Sequence, residues 1–252
     1  MKRNQTPMKL LRPNRSIRNA GAIAILVLFM VHGVHAQTLY KIPGADSVSF
    51  KQTPTIRSLI VPSFLITYGF IAIHNKGLVS LDKSTRYEIV EDHPSFAVHA
   101  DDYMQYLPAV AEYGLNAAGV KGKNNFRDRT SIYLLSQLFA FGFTEPIKRL
   151  TDVERPDHSN FRSFPSGHTT TAFSSAEFLH QEYKNVSRWY GVAGYGVASA
   201  TGLLRMYNNK HWFSDIVAGA GFGILSTKLA YWVYPKIKNK IFKNRTSENS
   251  SF

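Results

Sequence analysis

Cysteine is missing from all 252 residues. Its absence excludes disulfides, thiolate metal sites and a cysteine nucleophile, while leaving the redox compartment open. Long apolar runs are scarce as well. The mean hydropathy is −0.18, low for a polytopic membrane protein, and several apolar blocks fall short of the roughly 20 residues that a span requires. Nowhere do apolar and polar residues alternate with a strand's period of two, and there is no internal repeat, so the chain reads as all-α, a helical bundle. Acidic residues are absent from the first 36 positions, which carry Lys2, Arg3, Lys9, Arg12, Arg15 and Arg18.

That asymmetry disposes of the first impression given by the charge. The formal net charge of +13 suggests nucleic acid until it is mapped. Without the first 36 residues it is +7, and Lys236, Lys238, Lys240, Lys243 and Arg245 in the tail hold most of the remainder. An excess confined to the two ends suits anionic headgroups and cytoplasmic retention better than a DNA-binding face. No nucleic-acid-reading motif accompanies it, and no nucleic acid partner is expected.

After the basic stretch, Ala20 to Val31 form an uncharged apolar run, followed by Val34-His35-Ala36. Basic region, short apolar core and small residues at the cleavage positions predict an export signal over 1–36, cut before Gln37. An uncleaved signal anchor is the alternative. The length then allows one ordinary domain. We divide the rest into a lead-in with one apolar helix (37–100), a helical domain (101–235) and a basic tail (236–252). Apolar blocks lie at Leu59–Ile73, Ile132–Ile147, Thr169–Leu179, Trp189–Leu204 and Ile216–Tyr234. Gln105–Val120 has helical spacing interrupted by Glu112 and Asn116, as in an amphipathic helix that does not cross a bilayer. Gly219, Gly221 and Gly223 in the last block predict close helix approach. About five spanning helices are expected in the mature chain. A threading that keeps the basic segments Lys121–Arg129, Lys184–Arg188 and Lys236–Arg245 in the cytoplasm puts residues 148–168 and 205–215 on the exported side.

Three clusters at the ends of the later blocks carry the chemistry. They are Lys148 to Arg155-Pro156, then Pro165-Ser166-Gly167-His168, then Arg205 to His211 and Asp215. Lys148, Arg155 and Arg205 are three cations able to surround an oxyanion, the arginines with forks matched to phosphate oxygens. Ser166-Gly167-His168 opens a helical block, where free backbone N–H groups and the positive dipole end favour an anion. His211 and Asp215 are spaced i, i+4, so on a helix the carboxylate would fix the imidazole tautomer and free the other nitrogen as a nucleophile. His168 offers a second imidazole as general acid. Taken singly, each feature reads more simply as a surface charge, a helix cap or a helix-surface pair.

Together the clusters follow Lys-x6-Arg-Pro, Pro-Ser-Gly-His and Arg-x5-His-x3-Asp, in that order. This resembles the type 2 phosphatidic acid phosphatase (PAP2) superfamily, which includes bacterial acid phosphatases and vanadium haloperoxidases. The resemblance covers residues from roughly 100 to 235. One position departs: Leu204 stands before Arg205, where the pattern commonly has serine, and a hydroxyl is lost there. The resemblance implies His211 as nucleophile, Asp215 orienting it, and His168 protonating the leaving alkoxide and then activating water. It implies Lys148, Arg155 and Arg205 as phosphoryl ligands, joined by Ser166 and the Gly167 N–H. No metal or other cofactor is implied, since three cations already neutralise the charge. His74, His93, His99, His158 and His180 have no ligand-like grouping, and Arg162 is read either as a solvated loop charge or as a contact for a second phosphate or headgroup.

The implied reaction is hydrolysis of a lipid-linked phosphate at the periplasmic face of the inner membrane, with membrane lipids as partners. The short link Asp157–Phe164 suits the lipid-phosphate branch. With an export signal, lipid A or undecaprenyl diphosphate is favoured over phosphatidic acid and phosphatidylglycerol phosphate. The alternatives are a soluble periplasmic acid phosphatase, a vanadate haloperoxidase and a non-catalytic membrane protein.

Overall fold

The protein is described here by a computed structural model over residues 56–248. The export-signal segment 1–36 and the start of the lead-in lie outside the described residues. After a 3₁₀ turn at Ile56–Leu59, α1 runs Ile60–Ala72 and α2 Lys76–Asp92. A one-turn helix, α3 (Asp101–Met104), leads into α4 (Leu107–Ala117). Four longer helices follow: α5 (Phe126–Thr151), α6 (Gly167–Tyr183), α7 (Arg188–Tyr207) and α8 (Phe213–Glu248). Among the described residues there is no strand.

The helix starts are written in the sequence as side-chain caps. Asn75 accepts from the Gly77 and Leu78 N–H groups, Asn125 from Asp128 N, Ser166 from Thr169 N and Ser187 from Trp189 N. Each satisfies a donor that a helix N-terminus leaves orphaned. Pro108 in the first turn of α4 sits where its missing N–H costs nothing.

α6 is the centre of the bundle. Ala172, Ala176, Phe178, Leu179 and Tyr183 are fully buried, with α4, α5, α7 and α8 packed around it. The glycines of α8 permit two close contacts. A Cβ at Gly223 would lie 2.4 Å from Thr170 O, and one at Gly219 2.8 Å from Ser166 O, both on α6 or its cap. A Cβ at Gly221 would meet Pro62 O of α1 at 2.8 Å. α8 is therefore clamped between α6 and α1 at backbone distance, as its glycine spacing predicts.

Among the described residues one helical stretch, Phe213–Lys240, is long and apolar enough to cross a membrane. α1 and α2 pass that test only as a pair, bent by 93° at their break. The remaining apolar blocks fall short of that test for a visible reason: their polar residues face inward. Ser136 and Thr144 of α5 and Ser174, Ser175, Glu177 and Glu182 of α6 are all buried. Ser174 Oγ donates to Ser136 Oγ and shares a 2.9 Å bond with Thr227 Oγ1. Outward, α5 presents Leu134, Leu138 and Phe141, at 63%, 64% and 65% exposure, a stripe at i, i+4, i+7. Polar interior and apolar exterior cancel in an average, so mean hydropathy hides both.

Candidate active site

The chain direction alternates through the bundle, so the C-terminal ends of α5 and α7 meet the N-terminal ends of α6 and α8 at one pole. Lys148 lies in the last turn of α5, Arg205 in the last turn of α7, Ser166 caps α6, and Asp215 lies in the first turn of α8. Arg155 and His211 come from the connecting loops. The fold brings every motif residue to this pole.

His211 is 3% exposed and Asp215 fully buried. Their contact is real but differs from the shared helix face suggested by the i, i+4 spacing. His211 precedes α8, and Asp215 reaches back from the first turn. Asp215 Oδ2 lies 3.3 Å from His211 Nδ1 and accepts from Trp212 N at 2.9 Å and Ser163 Oγ at 2.5 Å. The same carboxylate thus caps the helix and holds the ring. With Nδ1 on the Asp215 and Ser163 side, His211 Nε2 is the nitrogen left for chemistry. Burial, followed by the positive charges of Lys148, Arg205 and Arg155, pulls the His211 imidazole well below its ordinary value, so it is held neutral.

The three cations are used unequally. Lys148, almost buried, donates to the carbonyls of Arg162, Ser163 and Pro165, at 3.1, 3.3 and 2.5 Å. All three of its donors go to the loop before α6, so it shapes that loop and acts on the pocket through its charge. Arg205 Nη1 donates to Asp101 Oδ2 at 2.6 Å. Among the described residues Arg155 makes no ion pair, and the Nε–H groups of both Arg155 and Arg205 are buried without a partner. Burial and the like charge of Arg205 press Arg155 below the ordinary arginine value, against the opposing pull of Asp157 and Asp215. Orphaned buried donors are rare in folded proteins and mark a place for an acceptor; here an oxyanion fits.

The start of α6 adds to this. Gly167 and His168 are its first two residues, and their N–H groups have no intrahelical acceptor by position. A Cβ at Gly167 would touch only Lys148 Cε, at 3.9 Å, so the space above it is open. Ser166 Oγ accepts from Thr169 N and Oγ1, leaving its own proton as what it can offer an anion. His168 Nε2 lies 2.8 Å from Asp102 Oδ1. Arg162 ion-pairs with Glu145 on an exposed surface, while its backbone oxygen receives Lys148.

Sequence reasoning missed four residues of this pole. Asp101 and Asp102 engage Arg205 and His168 across 104 and 66 residues. Ser163 joins the His211–Asp215 pair, and Asp82 of α2 accepts from Ser214 N at 3.0 Å and Ser214 Oγ at 2.5 Å, capping α8. Only Ser163, two residues before Pro165, carried a local signal; the others are joined to the motifs by the fold alone.

Over 156 residues the chain is 38% identical to a Lipid A 1-phosphatase of Porphyromonas gingivalis, covering 62% of this chain and 34% of that protein. Over 94 residues it is 31% identical to the bacitracin transport permease protein BcrC of Bacillus licheniformis, covering 37% of this chain and 44% of that protein. The chain thus spans less than half the length of these two relatives. The fold is shared with a transmembrane PAP2 type phosphatidylglycerolphosphate phosphatase from Bacillus subtilis, at TM-score 0.50 and 21% identity, over 70% of this chain and 97% of that one. Residues 129–239, which hold every motif residue from Lys148 to Asp215, match the PAP2 superfamily, and the fold assembles the three motifs at one pole of an all-helical bundle.

Proposed function

We propose that this chain is a membrane-lipid phosphatase working through a phosphohistidine on His211. The observation that carries the reading is a buried imidazole, its Nδ1 held by Asp215, beside two buried guanidinium Nε–H groups that lack acceptors. In the first step His211 Nε2 bonds to phosphorus as the bond from phosphorus to the lipid oxygen breaks. His168 gives that oxygen its proton. Water then attacks the phosphohistidine, yields a proton to His168 and releases inorganic phosphate. Arg155, Arg205 and the Gly167 N–H stabilise charge on the transferring group, Ser166 contributes its hydroxyl proton, and Lys148 adds its field and the shape of the loop.

Lipid A is the favoured substrate, supported by the 38% identity to a protein named for that activity. Undecaprenyl diphosphate is the next choice. The exposed Leu134, Leu138 and Phe141 of α5 and Trp189, Val192 and Leu203 of α7 support a bilayer around the bundle. At eleven residues α4 is too short to cross. The basic segments 121–129 and 184–188 lie at the pole opposite His211, where Lys123 N donates to Glu182 O. By the positive-inside rule that pole is cytoplasmic and the site faces the periplasm.

The test is phosphate release from purified lipid A and undecaprenyl diphosphate by the parent and by His211→Ala. Release by the parent alone is expected; equal release by both would end the reading. For orientation, Asn160→Cys in this cysteine-free chain should react with a membrane-impermeant thiol reagent in intact spheroplasts. Labelling only after permeabilisation would invert the topology, and release of the protein by osmotic shock would favour a soluble periplasmic phosphatase.

A further inference from the structure

The carboxylate beside His168 belongs to none of the three motifs and lies upstream of the segment that matches the family. Asp102 comes from the one-turn helix α3, and its backbone is fixed from several directions. Gln105 Nε2 donates to Asp102 O at 2.8 Å. The neighbouring Asp101 is fully buried, accepting from Arg205 Nη1 at 2.6 Å and from Asn208 Nδ2 at 3.1 Å. Asn208 also clasps Val98, accepting from its N–H at 3.1 Å and donating to its carbonyl at 2.8 Å. The turn carrying both aspartates is therefore tied to the C-terminal end of α7, and Asp102 is delivered to the rim of the pocket. Its oxygen lies 2.8 Å from His168 Nε2.

The two aspartates and His168 present ligand atoms within 4.8 Å of one another. Asp101 already has the Arg205 guanidinium as its cation, which leaves Asp102 to the imidazole. The side chains of Asp102 and His168 are 47% and 30% exposed, so the pair adds little to stability. An ionised carboxylate only accepts, so the imidazole nitrogen facing it carries hydrogen in both the neutral and the cationic ring. The nitrogen that gains and loses the proton is then the other one, for which no hydrogen bond is formed among the described residues.

Resting on the reading of His168 as proton carrier, we propose that Asp102 is a positioning residue that holds His168 as the Nε2–H tautomer. His168 Nδ1 thereby carries the proton that goes to the leaving oxygen and, in the second step, accepts the proton of the attacking water. Asp102 acts on His168 as Asp215 acts on His211, from a segment outside the motifs.

The direct test is ¹⁵N NMR of histidine-labelled full-length protein in detergent micelles, with His168→Gln identifying the signals. The parent should show His168 as Nε2–H when neutral, and Asp102→Ala should show a mixture of tautomers. An Nδ1–H ring in the parent, or an unchanged Nε2–H ring in Asp102→Ala, overturns the proposal. Turnover of a lipid phosphate supplies an independent test. Asp102→Ala should lower kcat roughly 10- to 100-fold with KM nearly unchanged, and should cost nothing further in the His168→Gln background. A further loss in that background overturns the proposal, as does full kcat in Asp102→Ala when His168→Gln is impaired; both leave the phosphatase reading standing. Turnover retained by His211→Ala would remove the phosphatase reading instead, and the tautomer measurement would still decide the role of Asp102.

Discussion

Replacing Asp215 with asparagine separates the two tasks of that carboxylate. Oδ2 serves Trp212 N at 2.9 Å, Ser163 Oγ at 2.5 Å and His211 Nδ1 at 3.3 Å, while Oδ1 is buried with no partner. In Asp215→Asn the amide oxygen has to take the Oδ2 place, because Trp212 N–H needs an acceptor there. The amide nitrogen then occupies the Oδ1 place as a buried donor without an acceptor, at a cost of about 1–3 kcal/mol in stability. His211 keeps its tautomer but loses the negative charge that supports positive charge on the ring as phosphorus bonds to Nε2. A hydrogen bond to a charged group contributes about 1.5–3 kcal/mol, which at about 1.4 kcal/mol per tenfold is roughly a 10- to 150-fold loss in kcat. If the amide flips, the wrong tautomer follows and the loss grows toward about 10⁴-fold, as in a serine-protease triad. The Arg155, Arg205 and Gly167 donors are untouched, so KM should stay within about threefold. Steady-state kinetics on a lipid phosphate, with a thermal melt for the stability cost, makes the measurement. Parental kcat, or a raised KM with kcat preserved, would refute the orienting role.

Gly223→Ala should lower the thermal midpoint by the equivalent of about 1–3 kcal/mol or more, since its Cβ would meet Thr170 O at 2.4 Å and Ser174 N at 2.8 Å. Gly142→Ala, with nothing within 4 Å, should be neutral or stabilise by roughly 0.5–1 kcal/mol, and the reverse order would contradict the close packing of α6 on α8. Because the His211 imidazole is pulled well below its ordinary value, protonation that removes the nucleophile occurs only at lower pH. The acid limb of kcat/KM should therefore lie below the ordinary imidazole range, and Arg155→Gln, which removes one of the opposing charges, should move it upward; an acid limb at the ordinary value in both would contradict this. Activity should persist in EDTA and be inhibited by vanadate, which adopts the five-coordinate geometry of phosphoryl transfer, whereas activity restored only by added Mg²⁺ or Zn²⁺ would overturn the charge-neutralising role of the cations.

Much of this molecule was legible because its signals are local. The helix start at Ser166 and the glycines of α8 act over one turn or one helix contact. The motif residues could be found because each cluster sits where one chain segment ends or begins a helix. What stayed hidden depends on tertiary proximity. Asp101, Asp102 and Asp82 reach the pole across 104, 66 and 132 residues, with no spacing to betray them. Lys148 was assigned to phosphate, yet the chain gave no means to foresee the three carbonyls that take its donors. The polar interior was hidden for another reason. Ser136, Ser174 and Thr227 are found by asking which face of a helix is buried, and a window average erases that face.

The central claim is that phosphorus becomes bonded to His211, and trapping that bond tests it most directly. Protein mixed with a lipid phosphate and quenched in alkali, where phosphohistidine survives, can be digested and mapped by mass spectrometry. A phosphoryl group on His211, absent from His211→Ala and accumulating when His168 is replaced by glutamine, is the result predicted. Turnover with the phosphoryl group on another residue, or turnover undiminished in His211→Ala, would contradict it.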